Sequence, residues 1–207
     1  MKKLAIFDFD ETLMDGETIN ILAKELGFED KVAKITNKAM NGEMGMFKSL
    51  IDRVQLLKGL ELKKVNEICR ELPLMNGAKD IVSELKDRDY TVVCFSGGFR
   101  NATTPLIERI GIDADFSNLL HYEKGILTGL VGGDMMYSFS KGDMLKRLQN
   151  LLKIDKSNTL VVGDGANDIS MFKYADIGVA FNAKPALKEV ATNIIDKKDL
   201  RLILDIL

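Results

Sequence analysis

Apolar positions along this chain fall into two rhythms, short unbroken runs and stretches of helical spacing. Leu4-Ala5-Ile6-Phe7 is too short a run for a core helix and suits a strand buried on both faces. Residues 91–98, TVVCFSGG, read as a second buried strand that gives way to a loop at Ser96-Gly97-Gly98. Leu160-Val161-Val162, Ile177 to Phe181 and the small Ile194-Ile195 predict three more strands. Between them the spacing turns helical: Ile81, Val82 and Leu85; Thr103 to Ile110, with Pro105 in the first turn; Leu145, Leu148 and Leu152. Pro185 starts a short helix, and Asp199 to Leu207 predicts a closing one. Strand and helix in repeated alternation imply an α/β fold, a parallel sheet with helices on both faces.

One stretch breaks the rhythm. From about Gly16 to Leu72 no strand is evident, and four helices follow one another. Their apolar faces are Ile19, Leu22 and Leu26; Val32, Ile35 and Ala39; Phe47, Leu50, Ile51, Val54 and Leu57; and Val65, Ile68 and Leu72. Gly27, Gly42, Gly59 and Pro73 mark their ends. We read this as a helical cap, residues 14–72, inserted after the first strand of a core made of residues 1–13 and 73–207. The glycine-spaced, alternating segment from Leu119 to Tyr137 predicts a hairpin or flap.

Composition narrows the classes of function. A chain of 207 residues with 46% hydrophobic residues is ordinary for a globular protein. With 29 Lys and Arg against 31 Asp and Glu, it has no basic excess that would point to nucleic acid. Cys69 and Cys94 lie in apolar contexts without metal-type spacing, as in a reduced, cytoplasmic protein. His121 is the only histidine, so a multi-histidine zinc site is excluded and a Ser-His-Asp triad would have to rest on that residue. The apolar run after Lys2-Lys3 stops at Asp8, too early for a signal peptide or a membrane span.

The candidate chemistry sits at strand and helix ends. Asp8 and Asp10 follow the first strand two residues apart, so both can face one small volume at its carboxyl end, where open α/β sheets bind ligands. Two close carboxylates repel unless a cation or a shared proton intervenes; the same residues would also serve as a capped turn. Ser96-Gly97-Gly98 lets backbone N–H groups approach an anion, and would equally make a tight turn. Lys141 lies near a helix N-terminus, where the helix dipole slightly disfavours a cation; a bound anion would account for it, and so would a solvated lysine. Gly163-Asp164-Gly165-Ala166-Asn167-Asp168 directly follows an apolar run. Its carboxylates suit a hard cation such as Mg²⁺, with Asp164 and Asp8 as direct ligands, the Asp10 backbone carbonyl beside them, and Asp168 steadying the ligands. An Asx-turn capping the next helix is the structural alternative.

Asp8-Phe9-Asp10-Glu11-Thr12 after a buried strand resembles the signature of the haloacid-dehalogenase-like phosphatases. The order DFDETL, Glu17, SLIDRV with Arg53, FSGGF, SKGD and GDGANDISMF is similar, across essentially the whole chain, to their phosphoserine phosphatase family. That resemblance implies a Rossmann-like parallel core, Mg²⁺, and hydrolysis of O-phospho-L-serine, the last step of L-serine biosynthesis. Asp8 would be the nucleophile that becomes an aspartyl phosphate and Asp10 the general acid and base. Ser96, Gly97, Lys141 and Asn167 would hold the phosphate. Glu17 and Arg53 would take the substrate's ammonium and carboxylate, with Met40 an apolar neighbour. Relatives often carry Phe seven residues before the cap arginine; here Met46 stands there, with Phe47 next to it. Two other readings use the same residues: phosphoryl transfer to an acceptor such as homoserine or hydrolysis of another small amine-bearing monoester, and a signalling module that only carries phosphate on Asp8. The sequence leaves monomer and homodimer open.

Overall fold

The computed structural model describes residues 2–40, with the Met40 side chain excepted, and 43–207. The chain runs through β1 (Lys3–Asp8), α1 (Thr18–Lys24), α2 (Glu29–Met40), α3 (Met46–Gln55), α4 (Leu62–Arg70), α5 (Ala78–Asp87), β2 (Tyr90–Phe99), α6 (Arg100–Ile110), β3 (Ala114–Glu123), β4 (Ile126–Gly133), α7 (Ser140–Leu152), β5 (Thr159–Gly163), α8 (Ile169–Phe172), β6 (Ile177–Phe181), α9 (Pro185–Lys188) and β7 (Asn193–Ile195). The strands form one sheet in the order β4-β3-β2-β1-β5-β6-β7. Every pairing is parallel except that of β4 with β3.

Each apolar run fills both faces of this sheet by simple alternation. Ala5 and Phe7 pack with Val92, Cys94, Leu160 and Val162 on one face. Leu4 and Ile6 pack with Val93, Phe95 and Val161 on the other. That double burial is why these strands read as continuous hydrophobic runs. From β1 the chain builds outward through β2 and β3, then returns to lay β5 on β1's other side. Such a reversal opens a crevice at the carboxyl ends of the two strands. Asp8 ends β1 and Asp164 follows β5, so both stand at its mouth.

The four helices between β1 and α5 form where the spacing places them. Gly27 (φ 68°) and Gly59 (φ 94°) take the left-handed backbone that ends such segments. Gly42 lies outside the described residues. Leu22, Val32, Val54, Leu57 and Val65 join the cluster on the first face of the sheet, so the insertion has no separate core. The predicted flap is a β3–β4 hairpin turning at Lys124-Gly125, both with positive φ (50° and 79°) as a two-residue turn requires. It leans on the insertion: the Gly59 N–H donates to the Leu127 carbonyl at 2.9 Å and the Leu62 N–H to that of Gly125 at 2.8 Å.

Three boundaries differ from expectation. β2 does not end at Ser96 but continues to Phe99, with a register shift between Phe95 and Phe99. α6 begins at Arg100, so Pro105 lies in its interior and not in its first turn. The closing helix is a 3₁₀ segment, Leu200–Asp205, opened by the Asp199 carboxylate accepting from the Arg201 N–H at 3.1 Å. Leu200 and Ile203 are both fully buried, and a three-residue repeat puts both on the same side. Cys69 and Cys94 are buried free thiols. Among the described residues no helix is long and apolar enough to cross a membrane.

Candidate active site

Asp8 is buried at the tip of β1. Its Oδ1 accepts from the Phe9 N–H at 2.7 Å and from Lys141 Nζ at 2.5 Å. Lys141 reaches it from the first turn of α7, and its Nζ also donates to Asp168 Oδ1 at 2.5 Å. Asp168 Oδ2 accepts from the N–H groups of Asp164 (3.1 Å) and Gly165 (3.0 Å). One fully buried carboxylate therefore anchors the lysine with one oxygen and shapes the loop after β5 with the other. The glycines of that loop are required by contact. A Cβ on Gly163 would collide with the Asp168 carboxyl, and one on Gly165 would lie 2.5 Å from Asn167 Oδ1.

Carboxylate oxygens of Asp8, Asp164 and Asp168 lie within 4.8 Å of one another, all three residues buried. Burial, then the neighbouring Asp168, pushes the Asp8 carboxyl up to about 7. Burial, then Asp8, pushes Asp164 up to about 9. Burial works against the Lys141 ammonium, yet Asp168 and Asp8 together outweigh it and raise its pKa. Asp168 is fully engaged, whereas Asp8 Oδ2 and the Asp164 carboxylate accept no hydrogen bond among the described residues. Two buried carboxylates with free oxygens under mutual repulsion are a donor set that fits a hard cation.

Asp10 faces the same volume. Its Oδ1 accepts from both the backbone N–H (2.8 Å) and the hydroxyl (2.6 Å) of Thr18, the first residue of α1. Its Oδ2 would lie 3.0 Å from a Cβ on Gly98. Burial raises the Asp10 carboxyl, and the Thr18 bonds oppose that shift. Ser96 is fully buried, and its Oγ accepts from the Gly98 N–H at 2.9 Å. Glu17 immediately precedes α1; burial, then the Asp10 charge, raises it to about 8 despite Arg53. Arg53, on α3, is lowered by burial while Glu17 and Asp10 act the other way. Its Nε donates to the Ser49 carbonyl at 3.2 Å.

The predicted residues Asp8, Asp10, Glu17, Arg53, Ser96, Lys141, Asp164 and Asp168 thus converge on one crevice. Asn167 is half-buried on the loop after β5. The side chain of Met40 lies outside the described residues. Met46 and Phe47 are both partly exposed; Phe47 stacks on Tyr137 at 4.9 Å, and Tyr137 on Phe139 at 5.2 Å. Sequence reasoning missed Thr18, although a hydroxyl residue opening the first helix of the insertion is a signal of local hydrogen bonding.

Residues 2–176 match the haloacid dehalogenase-like hydrolase family. The phosphoserine phosphatase of Wolinella succinogenes is 58% identical over 98% of both chains. That of Methanocaldococcus jannaschii is 45% identical over 98% of this chain and 96% of its own. A solved phosphoserine phosphatase carrying a phospho-aspartyl intermediate analogue is 45% identical with a TM-score of 0.95, covering 100% of this chain and 99% of its own. A substrate-bound phosphoserine phosphatase is 44% identical, again with a TM-score of 0.95 and the same coverage. With such likeness in sequence and backbone over nearly the whole length, and acidic residues gathered on a buried lysine, the chain belongs to the phosphoserine phosphatase family of the haloacid dehalogenase-like hydrolases.

Proposed function

We propose that this protein hydrolyses O-phospho-L-serine to L-serine and inorganic phosphate, with Asp8 as the nucleophile. The observation that carries the reading is the buried Asp8–Lys141–Asp168 chain, 2.5 Å at each link, facing Asp10. An Asp8 oxygen attacks phosphorus as the bond from phosphorus to the serine oxygen breaks. Asp10, whose carboxyl burial raises above the usual carboxylate range, gives its proton to that oxygen. It then takes a proton from water, whose oxygen attacks the aspartyl phosphate and frees Asp8. Lys141 offsets the charge of the phosphoryl oxygens, with Ser96, the Gly97 N–H and Asn167 as donors around them. Mg²⁺ would be held by Asp8, the Asp10 carbonyl and Asp164, and when bound it supplies charge neutralisation for the phosphoryl group.

Glu17 and Arg53 support serine as the leaving group. A zwitterionic amino acid needs one anion and one cation, and both project from the insertion we assign as a cap, residues 14–72. Phosphate release from L-phosphoserine with added Mg²⁺, against phosphothreonine, phosphoethanolamine and an aryl phosphate, tests the reading. Preference for phosphoserine is expected, with Asp8→Asn abolishing turnover. Release from the aryl phosphate alone discards the substrate assignment, and normal turnover by Asp8→Asn discards the mechanism.

A further inference from the structure

We propose that Asn118, on β3, is a positioning residue that sets the phosphate-binding turn Ser96-Gly97-Gly98. The inference rests on the phosphate chemistry above, not on the identity of the leaving group. Between Phe95 and Phe99, β2 loses its regular register with β3, whose residues Phe116 and Asn118 pair with those two positions. Three residues of β2 therefore stand opposite one of β3, and the backbone ladder is interrupted where the phosphate would sit. A half-buried carbonyl left out of the ladder there needs another partner. The Asn118 side chain supplies it: its Nδ2 donates to the Gly97 carbonyl at 3.0 Å.

That bond orients more than one atom. In a planar trans peptide the Gly98 N–H points opposite to the Gly97 carbonyl. With the carbonyl held toward β3, the N–H is held away from it, and it donates to Ser96 Oγ at 2.9 Å. The serine oxygen is then occupied as an acceptor, which leaves its own proton free to be donated to an anion. The second end of Asn118 is also used. Its Oδ1 accepts from the Met135 N–H at 3.0 Å, on the segment that leads into α7 and Lys141. A carbonyl on one side and an N–H on the other require an amide between them; neither Asp nor Leu meets both. The fit is close, since a Cβ on Gly133 would lie 2.7 Å from Asn118 Oδ1, and Asn118 is fully buried.

The test uses the full chain with Mg²⁺ and inorganic phosphate as the probe. Asn118→Asp keeps the acceptor for Met135 and loses the donor to Gly97. Asn118→Ser shortens the side chain and loses both. Ser117→Ala is the comparator: it stands opposite the turn on β3, yet its hydroxyl bonds Asp115 on the same strand (2.9 Å) and Thr103 on α6 (3.1 Å) and not the turn. Phosphate affinity, KM and kcat on phosphoserine, and Tm are measured for each. Both Asn118 variants are expected to weaken phosphate about tenfold or more and to raise KM more than they lower kcat. Ser117→Ala is expected to lower Tm alone. Phosphate affinity within about twofold of wild type in the Asn118 variants, with Tm lowered, reduces Asn118 to a structural residue and overturns the proposal. Weakened phosphate binding by the variants of a protein that does not hydrolyse phosphoserine keeps the proposal and discards the substrate assignment.

Discussion

Asp168→Asn removes one charge and almost no volume, so its cost can be worked from hydrogen bonds alone. Asp168 accepts three: from Lys141 Nζ at 2.5 Å, and from the N–H groups of Asp164 and Gly165 at 3.1 and 3.0 Å. An asparagine can turn its oxygen to only one of these sides, and its NH₂ then faces a donor on the other. At least one charge-assisted bond is lost, worth about 1.5–3 kcal/mol. Lys141 keeps only Asp8, and breaking a buried ion pair from one side typically costs about 3–5 kcal/mol. Against this, Asp168 raises the pKa of both Asp8 and Asp164, so its removal relieves some repulsion. The net is about 3 kcal/mol of lost stability, a fall of roughly 6–12 °C in Tm for a chain of this size. Thermal unfolding of the metal-free protein in chelator at pH 7 measures it. A variant as stable as wild type, or more stable, would refute the reasoning, because repulsion among the carboxylates would then outweigh the anchoring of Lys141.

Gly98→Ala places a Cβ 3.0 Å from Asp10 Oδ2 and 3.1 Å from Ser96 Oγ, so kcat on phosphoserine should fall about tenfold or more while Tm changes little; unchanged kinetics would show that Asp10 has room to shift. Glu17 has a raised folded pKa of about 8 against the usual 4.5, so its contribution to stability is complete below about pH 4.5 and is lost as the pH rises through about 8. Ligand-free Glu17→Gln should therefore match wild type near pH 4.5 and exceed its Tm at pH 9, while KM for phosphoserine rises; equal Tm values at pH 9 count against a buried carboxylate. Stripping divalent metal with a chelator should lower Tm and abolish phosphate release, with Mg²⁺ restoring both; a Tm indifferent to metal would mean that Asp8 and Asp164 hold none.

The strands nearest the site were legible because each is buried on both faces. Leu4 to Phe7 and Leu160 to Val162 are unbroken apolar runs for that reason alone. The first half of β3, Ala114 to Asn118, carries no such signal. Its Asp115, Ser117 and Asn118 are polar because they bond Thr103 and Gly97 on neighbouring elements. A period-two pattern cannot show a strand whose inward side chains are chosen for specific partners. The bulge at Ser96-Gly97-Gly98 was hidden likewise: the glycines were read as the end of the strand, whereas β3 continues alongside to pair Asn118 with Phe99. The charged residues of the site were legible from their clustering at strand ends. Thr18 and Asn118 were not, since each is a single polar residue whose meaning lies in a partner 8 or 21 positions away.

On the proposed function, the placement of Thr18 would join substrate choice to chemistry. Glu17 and Thr18 are adjacent at the start of α1; the first is the residue we propose for the substrate's ammonium, and the second holds Asp10 through two bonds. On that reading an ammonium would favour the ionised form of Glu17, whose folded pKa burial raises to about 8, and pair with it, which would steady the first turn of α1 and with it the Thr18 donors. A monoester without an ammonium would leave Glu17 buried with Arg53 alone as its cationic neighbour, and the Thr18 donors without that added support. Binding energy at the amine would in this way be expressed at the proton-transfer step. Discrimination against amine-free phosphates should accordingly appear in kcat as well as in KM, because the residue proposed to recognise the substrate and the residue that holds Asp10 are consecutive in the chain.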